Sequence, residues 1–182
     1  MPEVSFATHE GPGAADRLDV FLALYEEVYV EPPYCEGPRE VAEFIERFLR
    51  QTGRPGFRLV LARDGTVVVG FTFGYVLPAD TLWWNGLLEP MPAAFTKETG
   101  ERTLAVIELA VGKPWRRRGI AAGLHARLLD GVRVERAALT VRPEPEAAAA
   151  RCAYAAWGYR KVGRSQPWSE APVYDSMVLD LR

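Results

Sequence analysis

Leu109-Ala-Val-Gly-Lys-Pro-Trp-Arg-Arg-Arg-Gly-Ile-Ala-Ala-Gly-Leu-His-Ala-Arg-Leu-Leu129 holds a strand end, a turn and a helix start in one stretch. The apolar run at 104–111 reads as a buried strand, and Pro114 marks a turn. Arg116, Arg117 and Arg118 then precede Gly119, and Ile120, Leu124 and Leu128 open an amphipathic helix. The first N–H groups of a helix have no intrahelical acceptor, and the aligned peptide dipoles put partial positive charge there. A glycine at that point lets a ligand approach the backbone, so strand, turn and helix start together form an anion cradle. Three adjacent arginines also fit a solvated surface run. Their place between a buried strand and an amphipathic helix favours the cradle. A Walker A loop is excluded, because no Gly-Lys-Ser/Thr follows, and no strand opens the chain with the three spaced glycines of a dinucleotide fingerprint.

Working outward, the 182 residues fit one domain spanning 1–182, long enough to bury roughly 70% of the unfolded surface. Hydrophobic content of 48% and charged content of 25% are ordinary for a soluble fold. A net charge of −2 gives no reason to expect nucleic acid, so the basic cluster suits a small anionic ligand better than a polyanion. Lysine occurs only at 97, 113 and 161, which with abundant alanine points to a high-GC, bacterial genome. Cys35 and Cys152 have no framework spacing, no signal peptide is visible over 1–17, and no apolar run approaches ~20 residues. The expectation is a cytoplasmic protein without membrane contact.

Along the chain, residues 4–7 can form a first strand. Leu18, Phe21, Leu22, Tyr25 and Val28 recur at helical spacing until Glu31-Pro-Pro breaks the pattern. A second helix starts near Pro38, carries Val41, Phe44, Ile45, Phe48 and Leu49 on one stripe, and stops at Gly53 and Pro55. Segments 58–63 and 66–77 flank Asp64-Gly65, a hairpin signal. The long connection 78–101 reads as a lid or binding loop. After the arginine loop and its helix come a strand at 137–141, an alanine-rich helix at 146–157 capped by Gly158, and strands at 159–162 and 173–181. His9 falls in a loop on this reading, and His125 on a helix surface.

The spacing Arg116-x-x-Gly119-x-Ala121 resembles the (Gln/Arg)-x-x-Gly-x-(Gly/Ala) pyrophosphate loop of the GNAT N-acetyltransferase superfamily. The order of elements also matches that family's fold over nearly the whole chain. The resemblance implies an α/β, three-layer fold with a mixed, splayed central sheet of about seven strands and about four helices. It places the pantetheine arm between the fourth and fifth strands, here 103–111 and 137–141. It implies an acyltransferase using acetyl-CoA and no metal, the donor being held by Leu109, Ala110, Val111, Arg116, Arg117, Arg118, Gly119, Ile120, Ala121 and Ala122.

Ala150-Arg-Cys-Ala-Tyr154-Ala-Ala-Trp157-Gly158-Tyr159 is similar to the family's Ala-x-x-x-Tyr-x-x-x-Gly-Phe segment. The resemblance makes Tyr154 the acid that protonates the departing CoA thiolate, and a phenol of pKa ~10 can do so. An aromatic on the buried face of a helix is the competing reading. The asparagine often found seven residues before that tyrosine is Ala147 here, which puts a contact to the pantetheine arm in doubt.

A thioester is already activated, so the harder requirement is a neutral amine, roughly one part in two thousand of an aliphatic amine at pH 7. Glu108 is the leading base, because a carboxylate in an otherwise apolar strand needs a reason or a partner. It could equally face solvent or an arginine. Its loss is expected to cost most at low pH, and Glu26, Glu27 and Glu31 are weaker candidates. In the family the acceptor is gripped by the first helices and the segment after the third strand. Tyr29, Tyr34, Trp83 and Trp84 lie there, lining an apolar cleft or covering core edges. The implied reaction is acetyl transfer to the primary amine of a small molecule by direct attack in a ternary complex. A peptide or protein N-terminal or lysine acetyltransferase and a non-catalytic acyl-CoA-binding protein are the alternatives, and a homodimer is left open.

Overall fold

A computed structural model describes residues 3–182. In chain order the elements are β1 (Ser5–Glu10), α1 (Pro12–Ala15), α2 (Leu18–Tyr29), α3 (Pro38–Gln51), β2 (Arg58–Asp64), β3 (Val67–Val76), α4 (Ala93–Thr96), β4 (Thr103–Val111), α5 (Ile120–Leu129), β5 (Arg136–Val141), α6 (Ala148–Ala156), β6 (Arg160–Ser165) and β7 (Tyr174–Asp180). Short 3₁₀ turns occupy Trp83–Gly86, Lys113–Trp115 and Pro145–Ala147. The strands form one mixed, open sheet in the order β1-β2-β3-β4-β5-β7-β6, the fold that the family resemblance implies. β4 and β5 pair in parallel over Thr103–Ala105 and Arg136–Ala138, a short register of the kind expected for strands that splay.

The chain divides into two compact units, neither contiguous in sequence. One comprises the chain through Tyr75 together with Val106–Val132. Its core is aromatic. α2 contributes Phe21 and Tyr25, α3 contributes Phe44 and Phe48 at i, i+4, and β3 contributes Phe71 and Phe73. Tyr25 stacks on Phe44 at 3.7 Å, and Phe21 meets Phe48 edge-on at 5.3 Å. Glu40 reaches back to the N–H of Gly37 at 2.9 Å and, with Pro38 in the first turn, sets where α3 begins. α5 covers the opposite face. A Cβ on Gly70 of β3 would stand 3.0 Å from Leu124, and one on Gly123 would stand 2.5 Å from the Phe6 ring, so both glycines permit close seating. Arg58 ties β2 to the end of α5 through the carbonyls of Leu128 at 2.9 Å and Asp130 at 2.7 Å.

The second unit comprises Val76–Ala105 and Arg133–Arg182. At its centre Arg136 of β5 is 4% exposed and pairs at 2.8 Å with Glu98, whose side chain is 0% exposed. Glu98 Oε1 also accepts from Trp84 Nε1 and Thr103 Oγ1, both at 2.8 Å. The Arg136 guanidinium lies against the Trp84 and Phe95 rings at 4.9 and 4.5 Å and donates to the Phe95 carbonyl at 2.7 Å. Arg102 donates to the carbonyls of Ala94 at 2.8 Å and Lys97 at 2.6 Å. The connection 78–101, expected as a lid or binding loop, is clamped by two arginines and carries helical turns of its own. α6 ends in a Schellman motif. Tyr159 N–H bonds the Tyr154 carbonyl at 3.0 Å and Gly158 N–H bonds the Ala155 carbonyl at 3.1 Å, with Gly158 at φ +97°.

Several sequence expectations shift. β1 extends to Glu10, so His9 is a strand residue paired with Leu59. The first helix is divided into α1 and α2 around Asp16 and Arg17. His125 is buried instead of on the surface, and burial pushes its pKa down to about 4. Glu98→Ala leaves the Arg136 charge buried and unpaired and should cost about 3–5 kcal/mol. Trp84→Phe, which removes the Nε1 donor and part of a buried ring, should cost about 1–3 kcal/mol. Urea unfolding of the variants checks both.

Candidate acetyl-transfer site

The first unit carries the strand-turn-helix stretch. Leu109 is half-buried, while Ala110 and Val111 are buried as β4 ends. The chain turns through Lys113–Trp115, and Arg117 at φ +65° and Gly119 at φ +78° both take the left-handed conformation. Gly119 is the N-cap residue of α5, and its carbonyl accepts the N–H of Gly123 at 3.0 Å. The N–H groups of Ile120, Ala121 and Ala122 precede that bond and have no carbonyl one helical turn back within the helix. Ile120 itself is a core residue, 4% exposed, so its side chain anchors the turn. A Cβ added at Gly119 would meet nothing within 4 Å, so the backbone stands open at the point where an anion would approach. Those features suit a diphosphate.

The three arginines do different things. Arg118 lies over the Trp115 ring at 5.1 Å, and Arg117 is exposed. Arg116 donates through Nε to the Val111 carbonyl at 2.9 Å and forks onto Glu31 at 2.9 and 3.1 Å. Arg116 holds the Glu31 carboxyl below its usual range, which leaves Glu31 poorly suited to be a base.

Glu108 is drawn into a cluster with α2 and α3. The Tyr29 hydroxyl donates to its Oε2, and Arg47 Nη2 stands 3.5 Å from its Oε1. The Glu108 side chain is 16% exposed. Loss of water pushes its pKa up to about 7, against the opposing pull of Arg47 and of the Tyr29 hydrogen bond, with Glu36 adding repulsion. Next to it Tyr25 donates to Glu36 at 2.6 Å, and burial raises the Glu36 carboxyl as well. Burial, then the charge of Glu108, keeps both the Tyr25 and Tyr29 phenols protonated. Tyr25 and Tyr29 stack at 4.4 Å, and Tyr34 leans on Tyr29 at 4.9 Å. Glu108, Tyr29 and Tyr34 are thus brought together, while Tyr25, Glu36 and Arg47 join them unannounced by the sequence. The i, i+4 spacing of Tyr25 and Tyr29 was the one local signal available.

The second unit holds the remaining candidates. Tyr154 on α6 is 9% exposed, with Trp157 and Tyr159 edge-on at 5.5 and 5.6 Å. Trp84 is committed to Glu98, and Trp83 meets it edge-on at 6.4 Å while half-buried against the Ala138 and Val178 cluster. Among the described residues no three His, Cys, Asp or Glu side chains gather as a metal group, and no helix is long and apolar enough to cross a membrane.

The raised Glu108 pKa has a stability consequence. Between about pH 4.5 and 7 the folded protein holds a proton that the unfolded chain has released, so this group's contribution falls as pH rises through that window. Glu108→Gln should remove this slope, worth about 2–3 kcal/mol, and be the more stable protein at pH 8. Urea midpoints taken across pH 4–8 measure it.

A model of the acetyltransferase (GNAT) family matches residues 21–159. No curated protein matches the chain. Among solved structures, the ribosomal-protein-S18-alanine N-acetyltransferase of Escherichia coli is 14% identical, with TM-score 0.64 over 98% of this chain and 94% of that one. Arabidopsis thaliana NAA60, solved with a bisubstrate analogue, is 17% identical, with TM-score 0.60 over 97% and 95%. The PaiA N-acetyltransferase of Thermoplasma acidophilum, solved with coenzyme A, is 8% identical, with TM-score 0.61 over 97% and 99%. At such identities these likenesses speak for the fold alone. The family match spans most of the chain, which therefore belongs to the acetyltransferase (GNAT) family and is an acyltransferase.

Proposed function

We propose that the protein transfers the acetyl group of acetyl-CoA to the primary amine of a small molecule, with residues 1–182 acting as one functional domain. The observation that carries this reading is Glu108: a desolvated carboxylate with a pKa of about 7, on the strand that leads into the Gly119 cradle. A base of that strength is half-ionised near neutral pH and can take the proton that an ammonium must lose before attack. The N–C bond then forms as the C–S bond breaks, and Tyr154, by its place in the family motif, gives its hydroxyl proton to the leaving sulfur. The backbone of Leu109, Ala110 and Val111 orients the thioester arm. The N–H groups around Gly119 to Ala122, with Arg117 and Arg118, hold the diphosphate. Tyr29 and Tyr34 supply an aromatic wall beside Glu108, and Trp83 is the more available of the two tryptophans. A wall of tyrosines with Arg47 nearby suits a monoamine on an apolar or aromatic body better than a polycation.

Mass spectrometry of an amine and peptide panel incubated with acetyl-CoA tests the reading. Acetylated aromatic monoamines support it, and products confined to peptides reassign the acceptor. Gly119→Asn tolerates the left-handed backbone but fills the open approach, and should weaken CoA binding at least about tenfold by calorimetry with the fold retained. Glu108→Gln should remove the acid limb near pH 7 from kcat/KM. Its deficit should peak between pH 7 and the amine pKa and fade below pH 7, where wild-type Glu108 is itself protonated, which revises the expectation of a greatest loss at low pH. Tyr154→Phe should lower kcat about 10²–10⁴-fold with CoA affinity little changed.

A further inference from the structure

The donor loop contains a bond that neither the family motif nor the reaction requires. Arg116 occupies the motif's first position, yet three of its nitrogens are engaged within the protein. Nε donates to Val111, the last residue of β4, and both Nη atoms fork onto Glu31. Glu31 lies two residues after Tyr29, the residue bonded to Glu108. The Glu31 carbonyl also accepts the N–H groups of Tyr34 and Cys35, each at 3.1 Å. Glu36 N–H closes the same turn onto the Tyr29 carbonyl at 2.8 Å. One residue thus grips the donor loop with its side chain and the Tyr34–Glu36 turn with its backbone. A two-pronged guanidinium–carboxylate pair fixes direction as well as distance, which a single-point contact does not.

We propose that Glu31 is a positioning residue that holds Arg116 as a strut of the donor loop, leaving the diphosphate to the backbone N–H groups, Arg117 and Arg118. This rests on the acetyl-donor reading above. It makes a prediction of sign. If Arg116 were a phosphate ligand, Glu31 would compete with the diphosphate, and removing its charge would tighten CoA binding. As a strut, Arg116 loses its anchor when Glu31 is neutralised, and CoA binding weakens.

Calorimetric titrations of wild type, Glu31→Gln, Arg116→Ala and the double variant with CoA, and with pantetheine, which lacks the diphosphate, decide between these. Glu31→Gln should weaken CoA binding about three- to tenfold and leave pantetheine binding within about twofold. The double variant should bind CoA no more weakly than Arg116→Ala alone, because both substitutions break one unit. If Glu31→Gln does not fold, Glu31→Asp, which keeps the charge and shortens the reach, carries the same comparison. CoA binding that is unchanged or tighter in the Glu31 variant overturns the strut. So does an equal loss for pantetheine, or a double variant weaker than both singles. A wild-type protein that binds no CoA overturns the donor reading itself.

Discussion

Burying Glu108 in an apolar strand costs free energy, and contacts from α2 and α3 offset part of that cost. The Tyr29 hydroxyl donates to one oxygen and Arg47 approaches the other. The compensation stops short. Arg47 stands at 3.5 Å with its side chain 42% exposed, so its charge is shared with water. A close two-pronged arginine would have driven the carboxyl well below its ordinary value, and no partner at all would have left it neutral at physiological pH. The intermediate arrangement leaves it near 7. A tyrosine as the hydrogen-bond donor contributes to this, because its own phenol is held protonated and supplies a bond without a second charge.

The second unit solves a similar problem in the opposite way. Glu98 is more deeply buried than Glu108, but Arg136, Thr103 and Trp84 all converge on its Oε1. Both charges of the pair are enclosed, with two rings packed against the guanidinium. Breaking such a pair leaves an unpaired buried charge, and that penalty keeps the long connection in place. Glu98 is not fully paired either, since its buried Oε2 has no hydrogen-bond partner. Burial alone does not separate the two carboxylates. What separates them is the arginine, enclosed and at 2.8 Å from Glu98 but half in water and at 3.5 Å from Glu108.

What was legible in the sequence was local. The strand-turn-helix around Gly119, the hairpin at Asp64-Gly65, the start of α3 at Pro38 and the cap at Gly158 each depend on residues within a few positions, whose conformational preferences are strong. The assembly of Glu108 with Tyr29 and Arg47, of Arg116 with Glu31, and of Trp84 with Glu98 and Arg136 was not. A chain with 22 basic and 24 acidic residues offers far more pairings than it uses, and nothing local marks the chosen ones. β1 runs past its apolar start through Thr8, His9 and Glu10, because a sheet-edge strand is held by backbone bonds instead of by an apolar pattern. His125 is buried although a single polar residue on an amphipathic helix ordinarily lies outside, and no neighbour in sequence marks it as the exception.

The run Arg116-Arg117-Arg118 shows where motif reading stops. As sequence the three residues are equivalent, a block of positive charge ahead of a glycine. In the fold the backbone rotates between them, so each side chain leaves in its own direction. Arg116 turns back onto Val111 and Glu31, Arg117 sits in a left-handed conformation unusual for a side-chain-bearing residue, and Arg118 lies over Trp115. An anion site at a helix start needs its N–H groups aimed more than it needs a maximum of charge, since the aligned dipoles already supply a positive potential. On the proposed strut, committing one of three arginines to fixing the loop forfeits little attraction and holds still the backbone that would meet the anion.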